Sequence, residues 1–267
     1  MRTVALALVA LVPSMAAYAA DGPGMRVSDA LTANELGPCD RNSNGSSLDR
    51  ITACTDLLKI GRTGAEVYVA RAAAYSDAGD RAAAIADLDV AILVSPDDAA
   101  AYAMRGALYL KDEAFRDGLV DLDRALDLAP GDEEALRTRA FAWDELGNLP
   151  AAIADYTALI ALSGDDSYRY FRGFAFLRRG ETAQAVADFD AILTSSSPTL
   201  SAWGYRGRGF VHEQAGEMEA AVADYTQALA RDPSDDRAFA GRCRAAAALS
   251  GAAPASCPAA LTRAATR

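Results

Sequence analysis

A single histidine, His212, is all the imidazole in this chain of 267 residues. Serine triads need a histidine oriented by an acid, and zinc sites usually draw on several Cys or His, so neither chemistry assembles here. No catalytic residue, metal ligand or cofactor site can be nominated, which points away from an enzyme. Positive charge is also in short supply: Lys and Arg number 26 against 37 Asp and Glu, a net charge of −11. Such a surface repels phosphate backbones and anionic lipid, which argues against nucleic acid and membrane surfaces as partners. Long apolar runs are missing too, because the stretch from Val4 to Val12 is too short to span a bilayer.

That short run has a different meaning. Met1-Arg2, the apolar core, Pro13 and the small residues ending Ala17-Tyr18-Ala19 form a secretory leader, 1–19, cleaved after Ala19. No cysteine follows the cut, so a lipid anchor at that point is not expected. The mature chain is expected to be periplasmic or secreted, without membrane insertion. The four cysteines, Cys39, Cys54, Cys243 and Cys257, all lie beyond the leader. In an oxidising compartment an even set favours two disulfides. Of three connectivities the simplest joins Cys39 to Cys54 and Cys243 to Cys257, each loop of about 15 residues contributing roughly 3 kcal/mol.

The dominant feature is a repeat. AIADLDVAILVSP at 84–96 returns as GLVDLDRALDLAP at 118–130, AIADYTALIALSG at 152–164, AVADFDAILTSSSP at 185–198 and AVADYTQALARDP at 221–233. The successive starts lie 34, 34, 33 and 36 residues apart. Upstream of each copy stands a second related segment, at 68–80, 102–114, 136–148, 170–181 and 205–217. Each unit is therefore two helix-length segments, alanine-rich and free of internal proline, with large residues three or four apart. Gly79, Gly147, Gly180 and Gly216 mark the turn between them, with Glu113 the exception. Pro96, Pro130, Pro198 and Pro233 end the second segment, and Gly164 takes that place in the third unit.

Columns across the units carry a packing logic. Small residues recur on the first helix (Ala72, Gly106, Ala140, Gly173, Gly209) and on the second (Ala84, Gly118, Ala152, Ala185, Ala221), so the two can approach closely. Large residues follow: Tyr75, Tyr109, Trp143, Phe176 and His212 on first helices, Leu88, Leu122, Tyr156, Phe189 and Tyr225 on second helices. Both sets are expected to fill the seams. His212 stands in the aromatic column, where a packing role outweighs a catalytic one.

On these columns, the period and the terminal proline, the chain resembles a tetratricopeptide-repeat array. The resemblance covers five repeats, 65–98, 99–132, 133–165, 166–201 and 202–235. It implies an all-α, right-handed solenoid of five stacked helix-turn-helix repeats with disulfide-tied helical caps, first helices lining the concave face. A lone pair cannot bury its apolar side, so stacking is obligatory and the ends need caps. The N-terminal cap is expected in 20–64, a helix from Leu48 to Ile60 with Cys54 standing where Leu88 stands in the next unit. The C-terminal cap is expected in 236–267, a helix from Arg237 to Leu249 and a short one from about Pro258. Two departures stand out: Leu159 and Ile192 replace the small residue of Ala91, Ala125 and Ala228, and a two-residue insertion near 198–201 is expected to bend or loosen the stack.

Arg71, Arg105, Arg139, Arg172, Arg208 and Arg242 form one column, and Asp87, Asp121, Asp155, Asp188 and Asp224 another. A half-buried arginine needs a carboxylate, so the columns read as repeated bridges; the other reading is a basic stripe for an acidic ligand. The acidic pairs Asp97-Asp98, Asp165-Asp166 and Asp235-Asp236 fall at unit junctions, where they complement helix N-termini. The segment Asp40 to Ser47 has oxygen ligands for calcium but lacks the closing glutamate of an EF-hand, which favours a polar loop.

The geometry implied by the resemblance puts Glu66, Val69, Ala73, Ala100, Ala103 and Ala107 on a smooth first half of the groove. Arg137, Phe141, Asp144, Tyr170, Phe174, Leu177, Arg206, Phe210 and Glu213 follow on the second half, with Trp203 at its rim. Aromatics and arginine dominate binding hot spots. The expected function is a non-catalytic scaffold or adaptor that binds a partner peptide or protein through Arg137, Phe141, Tyr170, Phe174, Trp203, Arg206 and Phe210. The alternative is an accessory carbohydrate-binding subunit of an envelope enzyme or polysaccharide machine, with the same rings stacking on sugar. Partner identity and oligomeric state are not written in the sequence.

Overall fold

The structure is a computed structural model that describes residues 36–251 and Cys257. The leader expected at 1–19 and the helix expected from about Pro258 lie outside the described residues. Among those described there are twelve α-helices and no strand. A 3-10 turn, Gly37–Cys39, precedes α1 (Ser47–Lys59). Five hairpins follow: α2 (Ala65–Asp77) with α3 (Arg81–Val94), α4 (Ala99–Lys111) with α5 (Phe115–Leu128), α6 (Glu133–Glu145) with α7 (Leu149–Ser163), α8 (Ser167–Arg178) with α9 (Thr182–Leu193), and α10 (Pro198–Ala215) with α11 (Met218–Arg231). The last helix is α12 (Asp236–Ser250). Each helix packs on its neighbours in the chain, and first helices also touch across units, α4 with α6, α8 with α10 and α10 with α12. That second contact puts the first helices on the inner arc of a solenoid.

Local chemistry sets the boundaries. Ser46 and Asp49 form a reciprocal capping box at α1. Asp80, Asp98, Asp132, Ser197 and Asp235 accept backbone N–H bonds at the starts of α3, α4, α6, α10 and α12. Two of the three acidic pairs thus supply caps; in the third, Asp165 accepts from the Ser167 N–H at 2.8 Å and Asp166 pairs with Arg169. Within each hairpin the chain turns through one left-handed residue, closed by a bond to the carbonyl of the aromatic-column residue. Gly79, Gly147, Gly180 and Gly216 take that conformation freely. Glu113 is driven into it at φ 61°, and its Cβ makes the posture cost about 1 kcal/mol.

The small columns are buried, and at one crossing they touch. A Cβ on Gly106 would lie 2.8 Å from the Gly118 carbonyl oxygen, and one on Gly118 2.9 Å from that of Gly106. Leu88, Leu122, Tyr156, Phe189 and Tyr225 are at most 1 % exposed and form the core centres. The insertion at 198–201 does not loosen the stack. It lengthens α10 to 18 residues, with Pro198 in the first turn and Ser197 as cap, and the buried Ser201 hydroxyl donates to the Leu193 carbonyl at 2.6 Å. The cysteines pair in the simplest way, Cys39 with Cys54 and Cys243 with Cys257. Beside the first bridge the buried Arg50 donates to Asp77 at 2.6 Å, tying α1 onto the end of α2.

Candidate functional site

The groove is defined by what the frame leaves free. Arg71, Arg105, Arg139, Arg172 and Arg208 each grip the aspartate sixteen residues on, Nε to Oδ2 and Nη2 to Oδ1, at 2.6–2.9 Å. The fork matches the carboxylate geometry, and the aspartates are buried. The third nitrogen reaches back to the preceding helix: Arg105 to Asp89, Arg139 to Asp123 and Arg208 to Asp190 at 2.6–2.9 Å. Arg71 and Arg172 meet a threonine instead, Thr55 at 3.2 Å and Thr157 at 2.9 Å. One guanidinium therefore holds a hairpin together and fastens it to the previous one. The hydrogen bonds to Asp87, Asp121, Asp155 and Asp224 raise the pKa values of Arg71, Arg105, Arg139 and Arg208 against the opposing effect of burial. The arginine column of the five repeats is consumed by structure and offers no basic stripe to a ligand.

The aromatic column of the first helices proves to be a companion of that clamp. Tyr75, Tyr109 and Phe176 are half-buried with the guanidinium 5.7–5.9 Å from each ring centroid. His212 is a polar bridge here and more than a seam filler: Nδ1 lies 2.6 Å from Glu217, Nε2 3.5 Å from the clamp carboxylate of Asp224.

In units two, four and five the residues two before and two after the clamp arginine line open clefts, and the surface they make changes along the solenoid. In the first half a trough of about 560 Å³ has Ala100, Ala103, Met104 and Ala107 as its floor. Arg41 and Lys111 stand on its walls with Asp132 and Glu134. In the second half a cleft of about 280 Å³ is walled by Tyr170, Phe174, Arg206 and Phe210, together with Tyr225 and with Arg237, Ala240 and Arg244 of α12.

Of the seven residues nominated from sequence, four meet in that cleft. Tyr170 is its buried floor, and its phenol accepts from Arg206 Nε at 3.0 Å and Nη2 at 2.7 Å. Burial pushes the phenol pKa up, and Arg206 partly offsets it. Arg206 also pairs with the buried Asp235 at 2.6 Å, so it is a fixed wall. Phe174 packs against Tyr170, Phe189 and Phe210, with centroids 4.9, 5.2 and 5.8 Å away. The other three sit outside. Phe141 is 36 % exposed and meets Phe171 edge-on at 5.1 Å. Trp203 leans on Tyr170 at 5.3 Å, and Arg137 pairs with Glu134. Glu213, expected to face the groove, is held by Arg244 at 2.7 Å and by the Tyr225 hydroxyl at 2.7 Å. Asp144 pairs with Arg178 at 2.7 Å, and burial still raises its carboxyl pKa.

Sequence reasoning stopped the groove at the fifth unit and missed α12. The signal was present: Arg242 stands in the clamp column, and the same offsets from it give Ala240 and Arg244. The back-reaching bond was missed as well, although Asp89, Asp123 and Asp190 each follow a clamp aspartate by two places.

A family model for the tetratricopeptide repeat matches residues 207–235, within the fifth unit. No curated protein matches the sequence. Among solved structures the chain is similar to YrrB, described as a tetratricopeptide-repeat protein with an unusual peptide-binding site, at TM-score 0.61 and 18% identity over 71% of this chain and 97% of that one. It is similar to MamA from MSR-1 at TM-score 0.54 and 18% identity, over 63% of this chain and 97% of that one. For MamA from Desulfovibrio magneticus RS-1 the values are 0.51 and 21%, over 55% and 84%. At these identities the likeness is one of fold.

Proposed function

We propose that this chain, a tetratricopeptide-repeat protein by its fold and by the match in its fifth unit, is a non-catalytic scaffold that holds a partner peptide or protein in the aromatic half of its groove. The observation that carries this reading is the cleft of Phe174 and Phe210 over Tyr170 and Arg206, set on the face that the clamps leave unused. Rings on a rigid helical face bury much area with few rotors to freeze, which is why they dominate interface energetics. Phe141 and Trp203 extend the apolar strip beyond the cleft, and Arg137 marks its N-terminal edge. The likeness to a peptide-binding neighbour supports the same use of the fold, as analogy.

Peptide is favoured over sugar by the lining. Sugar recognition wants flat ring faces beside amides or acids, yet Phe174 meets Tyr170 at 64° and Phe210 at 46°, and the lining of this cleft has neither an amide nor a carboxylate side chain. The place of action we propose is the periplasm or the cell exterior. Two disulfides suit an oxidising compartment, and no described helix is long and apolar enough to cross a membrane.

The test is a triple substitution, Phe141→Ala, Phe174→Ala and Phe210→Ala, assayed against peptides selected from a display library on the unaltered protein. Affinity is expected to fall about a hundredfold or more, at roughly 1–2 kcal/mol per ring. Helix content should be retained by circular dichroism. Undiminished binding with an intact fold would remove the aromatic half as the site.

A further inference from the structure

The lining of the cleft at the end of the solenoid carries positive charge and no carboxylate. Three guanidinium groups, Arg206, Arg237 and Arg244, stand in its wall. Two are neutralised in place, Arg206 by Asp235 and Arg244 by Glu213. Arg237 is exposed, and no carboxylate among the described residues pairs with it. It also sits in the first turn of α12, where the helix dipole disfavours a cation. A chain of net charge −11 thus presents, beside the rings of Phe174 and Phe210, an exposed guanidinium with no ion-pair partner among the described residues. The trough in the first half differs: its Arg41 and Lys111 share the walls with Asp132 and Glu134.

Size narrows the occupant further. At about 280 Å³ the cleft falls at or below the lower edge of the range for small-molecule pockets, roughly 300–1,000 Å³. It suits one or two side chains of a polymer that continues along the groove. The overall negative charge does not forbid an anion there, because at physiological salt charges beyond about 8 Å are screened and the local guanidinium decides. A carboxylate reaching Arg237 would make a charge-assisted bond at a partly desolvated rim, while its apolar neighbour covers the rings.

The geometry points to an acidic side chain adjacent to an apolar or aromatic one, on a peptide segment of the partner, as the feature this cleft takes, with Arg237 as the anion receptor. This inference rests on the peptide-scaffold reading above and sharpens it by naming the chemistry of the segment. Arg206 and Arg244 act as positioning residues, holding Tyr170 and Glu213 so that the pocket keeps its shape. Arg237 makes the recognition.

The experiment uses the disulfide-bonded protein without its leader and acetylated, amidated hexapeptide pools, so that terminal charges do not contribute. The central residue is Glu, Gln or Lys, and its neighbour is Phe, Leu or Ala. Binding is read by fluorescence anisotropy at physiological salt. The Glu-Phe and Glu-Leu pools are expected to bind about tenfold more tightly than their Gln counterparts, as one charge-assisted bond provides. Arg237→Gln should erase that preference while leaving the Gln pools unchanged, and Arg237→Lys should restore part of it. Because Arg237 is exposed, neither variant threatens the fold. Equal binding of Glu and Gln pools, or a preference that survives Arg237→Gln, would overturn this inference and leave the scaffold reading standing. Preferential binding of an acidic oligosaccharide such as oligogalacturonate would overturn it in favour of sugar. No binding by any pool would remove both readings.

Discussion

Units one and two differ from units three to five in everything except their frame. Both regions have the same clamp, the same left-handed turn and the same small-residue crossings. The core centres change from Leu88 and Leu122 to Tyr156, Phe189 and Tyr225, and the groove wall changes from alanine to phenylalanine. The larger core rings are accommodated by deletion on the facing helices. A Cβ at Gly173, Gly207 or Gly241 would stand 2.7, 2.5 or 2.3 Å from the rings of Phe189 or Tyr225. Phe171 stacks on Tyr156 instead, at 6.0 Å and 21°. The lesson is a division of labour: clamp and turn positions hold the stack whatever surrounds them, so core size and groove chemistry vary together without disturbing it.

The sharpest way to break this comparison is Phe189→Ala. The ring is fully buried and packs against α8 and α10, so its loss should cost about 3–5 kcal/mol. Because contacts run only between neighbours, hydrogen-exchange protection is expected to fall over α8 to α12 and to persist in α2 to α5. Uniform loss would show that the two regions are one cooperative block.

Separating the end staples should give the next largest effect. Cys39 and Cys54 are 15 residues apart, Cys243 and Cys257 14, so removing either bridge is expected to cost about 3 kcal/mol. Replacing the first pair by serine should loosen α1 and the first unit. Replacing the second should loosen α12 and with it the wall of the cleft, so it alone should weaken peptide binding at a temperature where both variants are folded.

Alkaline pH offers a gentler probe. Burial raises the phenol pKa of Tyr156 and, with Glu213 adding to it, that of Tyr225, far above the ordinary value of 10.0. The native state then holds these protons more firmly than the unfolded chain does. Stability is unaffected below about pH 10 and declines as pH rises beyond it, because the unfolded state releases protons first. The decline should appear in units three and five before unit one, whose core centre is a leucine. Residue-resolved exchange between pH 9 and 11 checks the order.

Glu113→Gly, in the second unit, should have the smallest effect. Relief of the left-handed strain outweighs the entropy of glycine, so stability should rise by about 0.5–1 kcal/mol, read as a few degrees in the melting temperature. A loss would mean that Glu113 makes a compensating contact.

Much of the frame could be read from the residues. The period, the turn positions, the core centres and the Arg and Asp columns all repeat five times, and repetition within one chain makes partners of positions that never neighbour each other in sequence. What escaped reading was unrepeated or depended on context. The insertion at 198–201 looked like a disruption, because nothing in its sequence tells whether extra residues loop out or extend a helix. His212 occupies an aromatic column, yet its contacts depend on Glu217, and the other unit with a glutamate at that place, Glu181, sets it against Phe176, which cannot pair with it. The groove was legible as columns, but Arg206 and Tyr170 were legible only as candidates. Their mutual hydrogen bonds, and the ion pair with Asp235, turn them from offered contacts into a floor. The wall from α12 lay beyond the last full repeat, where the pattern offered a single clamp arginine and no partner aspartate.

The claim on which the rest depends is that frame and recognition are separable, with recognition confined to the aromatic end. The most direct measurement is a titration of isotope-labelled protein with the Glu-Phe hexapeptide, followed by amide chemical-shift mapping. Shifts should concentrate on the groove-facing residues of α8, α10 and α12, around Phe174, Phe210 and Arg237, while α2 to α5 stay silent. Shifts centred on Ala100, Ala103 and Ala107, with the aromatic cleft unmoved, would contradict it.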